Sequence, residues 1–217
     1  SQWTPVWNER EHMLNKARHP GRRCGSPRAQ AGVGLIEILV SVLITSFGLL
    51  ALAGLQSRMG QAQFESYQRA QALTLLADLT QRMQANPASV ASYVTASPAG
   101  TGDAAPASCA SLTTVPERDL CEWSNALKGA SETSTSGGTT TNVGAMIGAR
   151  GCVEEIQAAD LTAGICRPAI FRVTVAWQGM LATVAPGVTC GQGLYGTDDG
   201  LRKAISAPVV APLLGCI

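Results

Sequence analysis

Histidine is almost missing from this 217-residue chain: His12 and His19 are the only two, and both precede its one long apolar run. Everything after that run therefore lacks an imidazole for a catalytic triad or for a histidine metal site. Charge is scarce as well, at 14% of residues against 46% hydrophobic ones. Soluble domains ordinarily carry about 25% charged residues, so part of this chain is expected to lie outside water. Aromatic residues reach only 5%, and Lys and Arg form no basic footprint outside the first 32 residues, which disfavours nucleic acid as a partner. None of the seven cysteines belongs to a Cys-x-x-Cys pair, which argues against a zinc site and a thioredoxin-like centre.

The net charge of +1 hides an asymmetry. Residues 1–32 hold Arg10, Lys16, Arg18, Arg22, Arg23 and Arg28 against Glu9 and Glu11, and the rest of the chain is acidic. The cysteines divide at the same boundary. Cys24 lies in the basic segment, whereas Cys109, Cys121, Cys152, Cys166, Cys190 and Cys216 follow the apolar run, so the two sides are expected to occupy different redox compartments. The six are disulfide candidates. Short loops are easiest to close, which favours the sequential pairs Cys109–Cys121, Cys152–Cys166 and Cys190–Cys216.

The apolar run is VGLIEILVSVLITSFGLLALAGL, residues 33–55, with Glu37 its only charge. At about 1.5 Å per helical residue it covers roughly 35 Å, enough for a bilayer core. The positive flank comes first, so residues 1–32 are expected in the cytoplasm and the remainder outside it. Two plain readings remain open: a single-span anchor, and a cleaved secretory signal ending at the small-x-small Ala51-Leu52-Ala53. Neither accounts for Glu37. A charge near mid-membrane costs about 2.5–3.5 kcal/mol on insertion scales and is normally retained with a cationic partner.

Gly32-Val33-Gly34-Leu35-Ile36-Glu37 resembles the type IV prepilin processing site, with a glycine before the cut and a glutamate five residues into the mature chain. The resemblance implies that a prepilin peptidase cuts between Gly32 and Val33 and methylates the new Val33 amine, and that Glu37 neutralises the amino terminus of a neighbouring subunit. The family's usual Phe and Thr or Ser at the first two mature positions are here Val33 and Gly34. Met13 can serve as the start, leaving 20 residues before the cut.

Beyond the run, residues 56–86 stay helix-friendly until Asn86-Pro87, where proline disfavours helix at the preceding residue. Residues 33–86 are expected to form one helix of roughly 80 Å. Gly48, Gly54 and Gly60 mark places of bending or of close helix packing. Ala72, Leu75, Leu76, Leu79 and Met83 form an apolar stripe that needs a sheet to cover it, with Arg69, Asp78 and Arg82 off it. The block from Leu49 to Pro87 resembles the PilV type of minor pilin, as does VTVAWQG at residues 173–179.

Residues 88–108 read as an extended connector. Thr114-Val115-Pro116-Glu117 is a capping box opening a short helix with Leu120, Trp123 and Leu127 on one side. Residues 131–142, SETSTSGGTTTN, are low-complexity and expected to be mobile. Phe171, Val173, Val175 and Trp177 alternate with Arg172, Thr174 and Ala176 as in a half-buried strand, with Leu181–Val184 as its hairpin partner through Gln178-Gly179. Weaker strands are read at Cys152–Ile156 and Ala204–Val210, the latter an edge because of Pro208. Gly191-x-Gly193-x-x-Gly196 matches a dinucleotide fingerprint but precedes no helix and reads as a turn. Asp198-Asp199-Gly200 reads as a surface turn and Glu154-Glu155 as a solvated face.

The expected fold is thus α+β and type IV pilin-like: a long N-terminal helix, transmembrane over 33–55 and amphipathic over 56–86, packed on a small antiparallel sheet with disulfide-closed loops in a head spanning 87–217. Residues 1–32 form a removable leader. The implied role is a non-catalytic minor pilin in pilus initiation or at the tip, without cofactor or metal. Its implied partners are the prepilin peptidase, other minor pilins, the major pilin, the assembly platform and the inner membrane, with the head in the periplasm and then in the filament. A minor pseudopilin of type II secretion shares the processing site and the helix, and a secreted adhesin is the reading that goes with a plain signal peptide.

Overall fold

The computed structural model describes residues 34–144, 146–162 and 164–213. The chain divides into two compact units, Ser1–Leu49 and Leu50–Ile217. Helix α1 runs from Leu35 to Ala85 and belongs to both. It is followed by a 3-10 turn at Pro87–Tyr93, β1 (Ala99–Gly100), α2 (Val115–Leu127), β2 (Thr133–Ser136), β3 (Thr139–Asn142), β4 (Arg150–Gln157), β5 (Ile170–Gln178) and β6 (Arg202–Val210). The main sheet has the order β1-β4-β5-β6, antiparallel throughout, and β2-β3 form a separate hairpin.

Within the larger unit, α1 buries Gln68, Ala72, Leu76, Leu79 and Met83. All but the glutamine join the core with Val153, Phe171, Val173, Val175 and Trp177 from β4 and β5. The apolar stripe thus faces a sheet, as its spacing predicts. The helix stops before Pro87, and α2 begins at Thr114, whose Oγ1 accepts the Glu117 amide at 3.4 Å and donates to the Glu117 carboxylate at 2.7 Å. That exchange is a variant of the capping box, worth about 1 kcal/mol.

Trp123 places α2. Its ring is fully buried and its Nε1 donates to the Leu75 carbonyl of α1 at 2.9 Å. On the other side lies Gly151 of β4, where an added Cβ would stand 2.1 Å from the indole. The ring fits only because that strand position lacks a side chain. Two polar clusters complete the clamp. Arg82 meets Asp78 at 3.1 Å, Asp119 at 2.9 Å and Glu122 at 2.6 Å, and the Tyr93 hydroxyl donates to Asp119 at 2.5 Å. Burial works against the Arg82 charge, but the three carboxylates outweigh it and raise the guanidinium's pKa, while burial and the Asp119 acceptor push the Tyr93 hydroxyl up to about 12. Asp103 accepts from the Gly100 amide at 2.8 Å and the Ser124 hydroxyl at 2.5 Å and pairs with Lys128, tying β1 to α2.

Several expectations are corrected. Residues 88–108 are not a plain connector, because Val90 and Tyr93 are buried in the core from the 3-10 turn. Residues 133–142 form a hairpin rather than a loose segment, since paired Thr and Ser favour extended backbone and Gly137-Gly138 supply the positive φ of its turn. Leu181–Val184 is not a strand. The Met180 and Leu181 amides instead bond to the Glu65 carboxylate of α1 at 3.2 and 3.1 Å, and β5 is flanked by β4 and β6. Nor is β5 half-buried: Thr174 and Ala176 are covered too, because residues 186–200 fold over the second face of the sheet.

Cys190 belongs to that covering layer and is bonded to Cys152 of β4. This replaces both expected pairs Cys152–Cys166 and Cys190–Cys216. Cys166 is disulfide-bonded, and Cys216 lies outside the described residues. Cys109 and Cys121 are bonded across the short loop before α2. The glycine-rich turn in the layer closes around a buried ion pair: Asp199 accepts from the Gly193 amide at 2.8 Å and pairs at 3.2 Å with Arg202, which also donates to the carbonyls of Pro186, Val188 and Cys190.

Two outcomes follow. Gly151→Ala lowers the stability of the full chain by about 1–3 kcal/mol through overpacking against Trp123, read as a lower denaturation midpoint. For Asp103, burial alone would raise the carboxyl, but Lys128, Ser124 and two backbone amides hold it below its ordinary value. Its contribution is therefore present above the ordinary carboxylate pKa and lost as pH falls through the lower, folded value. Thermal denaturation below pH 4 loses stability less steeply in Asp103→Asn than in the parent.

Candidate functional site

The smaller unit consists, in its described part, of residues 34–49 and is helical from Leu35. Every one of these residues is exposed, including Leu35, Ile36, Leu39, Leu43, Ile44 and Phe47. An 18-residue stretch of α1 is apolar enough to cross a membrane, and none of it is buried by the chain itself. Contiguous apolar surface of this kind marks contact with lipid or with other chains.

Its polar groups are arranged for such surroundings. Ser41 Oγ donates to the Glu37 carbonyl at 2.8 Å, Thr45 Oγ1 to Ser41 at 2.7 Å and Ser46 Oγ to Val42 at 2.7 Å, so each hydroxyl is satisfied by its own helix. Glu37 is different. Its amide closes the first turn on the Gly34 carbonyl at 2.8 Å, but among the described residues its carboxylate has no ion-pair partner. Gly32 and Val33 lie outside the described residues.

Sequence reasoning singled out Glu37 and, separately, Gly48, and missed the face they share with Ser41 and Thr45. Glu37, Ser41, Thr45 and Gly48 recur every three or four positions and so share one face of α1, whereas the rest of the helix surface there is Leu, Ile, Val and Phe apart from Ser46. The signal was available in the spacing. Gly48, Gly54 and Gly60 leave the helix unbroken, and a Cβ at any of them meets nothing within 4 Å, so no packing among the described residues requires them.

The head offers little competing chemistry. Among the described residues no cluster of three His, Cys, Asp or Glu side chains could hold a metal. Asp199 is committed to Arg202, and Glu154 to Arg172 at 3.7 Å and Thr189 at 2.7 Å. A groove of about 520 Å³ lies between Glu65, Ser66 and Arg69 of α1 and Lys203–Ile205 of β6. Glu65 there is occupied by backbone amides and Lys203 Nζ donates to Thr183 Oγ1 at 2.7 Å.

Residues 54–126 match the family model described as Tt1218-like, type IV pilin Tt1218. The match supports a type IV pilin. It begins within α1 and continues through the 3-10 turn and β1 to the penultimate residue of α2, about a third of the chain, so it covers the pilin-like helix–head junction and leaves out Glu37 and the residues before it. No curated protein and no solved structure matches. The long apolar helix, the antiparallel sheet and the disulfides fit a pilin fold and membrane anchoring.

The pilin-like full chain is expected to sediment with membranes, to resist extraction by alkaline carbonate and to be released by detergent. Replacing Leu39 and Leu43 with Lys shifts it toward the soluble fraction.

Proposed function

We propose that this chain is a minor pilin of the PilV type, a structural subunit that takes part in starting or capping a type IV pilus. The observation that carries the reading is Glu37: a carboxylate without a partner among the described residues, on the exposed apolar part of a helix whose later part packs in a pilin-like head. In this reading a prepilin peptidase cuts between Gly32 and Val33 and methylates the Val33 amine. The subunit is held in the inner membrane by residues 33–55, with residues 1–32 cytoplasmic before removal and the head periplasmic. The disulfides Cys109–Cys121 and Cys152–Cys190 suit an oxidising compartment.

Assembly then solves an electrostatic problem. A carboxylate and an ammonium are each expensive in an apolar medium and tolerable as a pair. Glu37 of one subunit meets the amino terminus of a neighbour, and the face shared with Ser41, Thr45 and Gly48 lets a second helix approach closely without presenting bulky side chains. The neighbours are other minor pilins and the major pilin, delivered through the assembly platform. No catalysis is involved.

Mass spectrometry of the mature amino terminus tests the processing, with methylated Val33 expected. A chain beginning at Gly54 would instead mean an ordinary secreted protein. Glu37→Ala is expected to leave the amount in membranes unchanged and to reduce recovery in sheared pili at least about tenfold, the loss that corresponds to about 1.4 kcal/mol. Unchanged recovery would rule out the carboxylate–amine pairing.

A further inference from the structure

Residues 180–185, MLATVA, are all exposed and carry no charge, and Val184, at 93%, is the most exposed large apolar side chain among the described residues. Exposed connections of this kind are ordinarily mobile, but this one is held. The Met180 and Leu181 amides donate to the Glu65 carboxylate of α1 at 3.2 and 3.1 Å, the Thr183 amide to the Gly200 carbonyl at 2.7 Å, and Lys203 Nζ to Thr183 Oγ1 at 2.7 Å. The loop therefore presents its apolar side chains at a fixed place, beside Ala62 and Glu65 in the groove between α1 and β6.

That place lies close to where α1 meets water. After Glu37 the next charge is Arg58, so residues 38–57 are free of charge and Arg58 marks the end of the segment that a bilayer core accepts. Ala62 stands about 6 Å further along the helix axis and Glu65 about 10 Å, at about 1.5 Å per residue. The headgroup layer on one side of a bilayer is about 5–8 Å deep, half the difference between the hydrocarbon core and the whole. The loop thus hangs at the outer margin of that layer, and the tilt of about 20° usual for spanning helices lowers it further when directed toward the loop.

The same level carries groups that favour an interface. Phe64 and Tyr67 are the exposed aromatic side chains beyond the apolar run, and aromatic rings collect at the boundary between membrane and water. Arg58, Ala62, Glu65 and Arg69 recur every three or four positions and share one face of α1, and Lys203 stands across the groove from the last of them. Glu65, the one acidic side chain lining the groove, is turned to the loop amides. Arg58, Arg69 and Lys203 leave this side of the head with an excess of positive charge.

We propose that loop 180–185 is a foot by which the head stands on the lipid surface. Before assembly it enters the headgroup layer of the bilayer that α1 crosses, with Met180, Leu181 and Val184 toward the acyl-chain boundary and Arg58, Arg69 and Lys203 on the phosphates of anionic phospholipid. Apolar side chains flanked by cations bind such a surface by combining burial with attraction to negative lipid. The proposal deepens the membrane reading of residues 33–55 and rests on it. Contact through both helix and loop fixes the tilt and rotation of the subunit, so a chain drawn into a filament has to lift the loop as well as the helix.

The test places the full chain, one per disc, in lipid nanodiscs of phosphatidylglycerol and phosphatidylethanolamine, with Val184→Trp as reporter and the emission of the parent chain subtracted. The exposure of Val184 makes the substitution harmless to the fold. The added emission should shift to shorter wavelength, lose most of its intensity when the acyl chains are brominated near their head end, and resist quenching by aqueous acrylamide. In discs of phosphatidylcholine alone, or with Arg58→Gln and Arg69→Gln added, bromine quenching should fall and acrylamide quenching rise. Emission open to acrylamide and indifferent to bromine means a head standing clear of the lipid and overturns the proposal. Emission shielded from both means a loop covered by protein and overturns it equally. Bromine quenching that ignores lipid charge and the two arginine substitutions refutes the part given to the cations. Leu43→Trp separates the two readings: bromine quenching there but not at Val184→Trp refutes the loop contact alone, and quenching at neither site refutes the membrane span with it.

Discussion

The burial of one stripe of α1, from Gln68 to Met83, against β4 and β5 is the contact on which the head depends. Ala72, Leu79 and Met83 are fully enclosed in that layer, and Trp123 is pressed between the same helix and Gly151. Burying a side chain the size of Leu79 or Met83 contributes about 1.5–3 kcal/mol, more than a partly exposed ion pair such as those of Arg82 ordinarily adds. The helix is thus the central structural member of the head while its earlier part, from Leu35 through Phe64, is exposed. One helix serves two surroundings, and the change falls at Glu65, the first residue of the helix that is partly buried and not exposed.

Where local rules and tertiary packing agree, the fold is readable without coordinates. The 3.6-residue stripe over 72–83, the stop at Asn86-Pro87, the Thr114 capping exchange and the period-two pattern of 171–177 each follow from a short-range constraint, and each is present. What could not be read is the second layer over the sheet. Nothing in the alternation of β5 tells that its Thr174 face would be covered. That covering comes from residues 186–200, ordered by Arg202 reaching three carbonyls and Asp199.

The disulfide error has the same origin. Closing a longer loop adds about 0.9 kcal/mol to the entropic cost when the sequence separation grows from 14 to 38, too little to decide a pairing against the packing of a whole layer. The layer brings Cys190 to the Thr174 backbone, and Thr174 is the cross-strand partner of Cys152, so position in the fold selects the bond. Glu37 was legible for the opposite reason: a charge in an apolar run stands out on composition alone. Its companions Ser41 and Thr45 did not stand out, because each is commonplace singly, and Gly48, read as a place of bending or close packing, is linked to them only on a shared helix face.

The ties between α1 and the head bear on how the molecule responds to tension. Glu65 holds the 180–181 amides, the Leu75 carbonyl holds Trp123, and Arg82 holds α2. All three anchor points lie at or beyond residue 65, and residues 50–64 are held by the hydrogen bonds of the helix itself. Gly54 and Gly60 weaken that stretch by about 1 kcal/mol each relative to Ala. Drawing on the amino-terminal end would unspool this stretch first, lengthening it by roughly 2 Å for each residue passing from helix to extended chain, before any load reached the sheet.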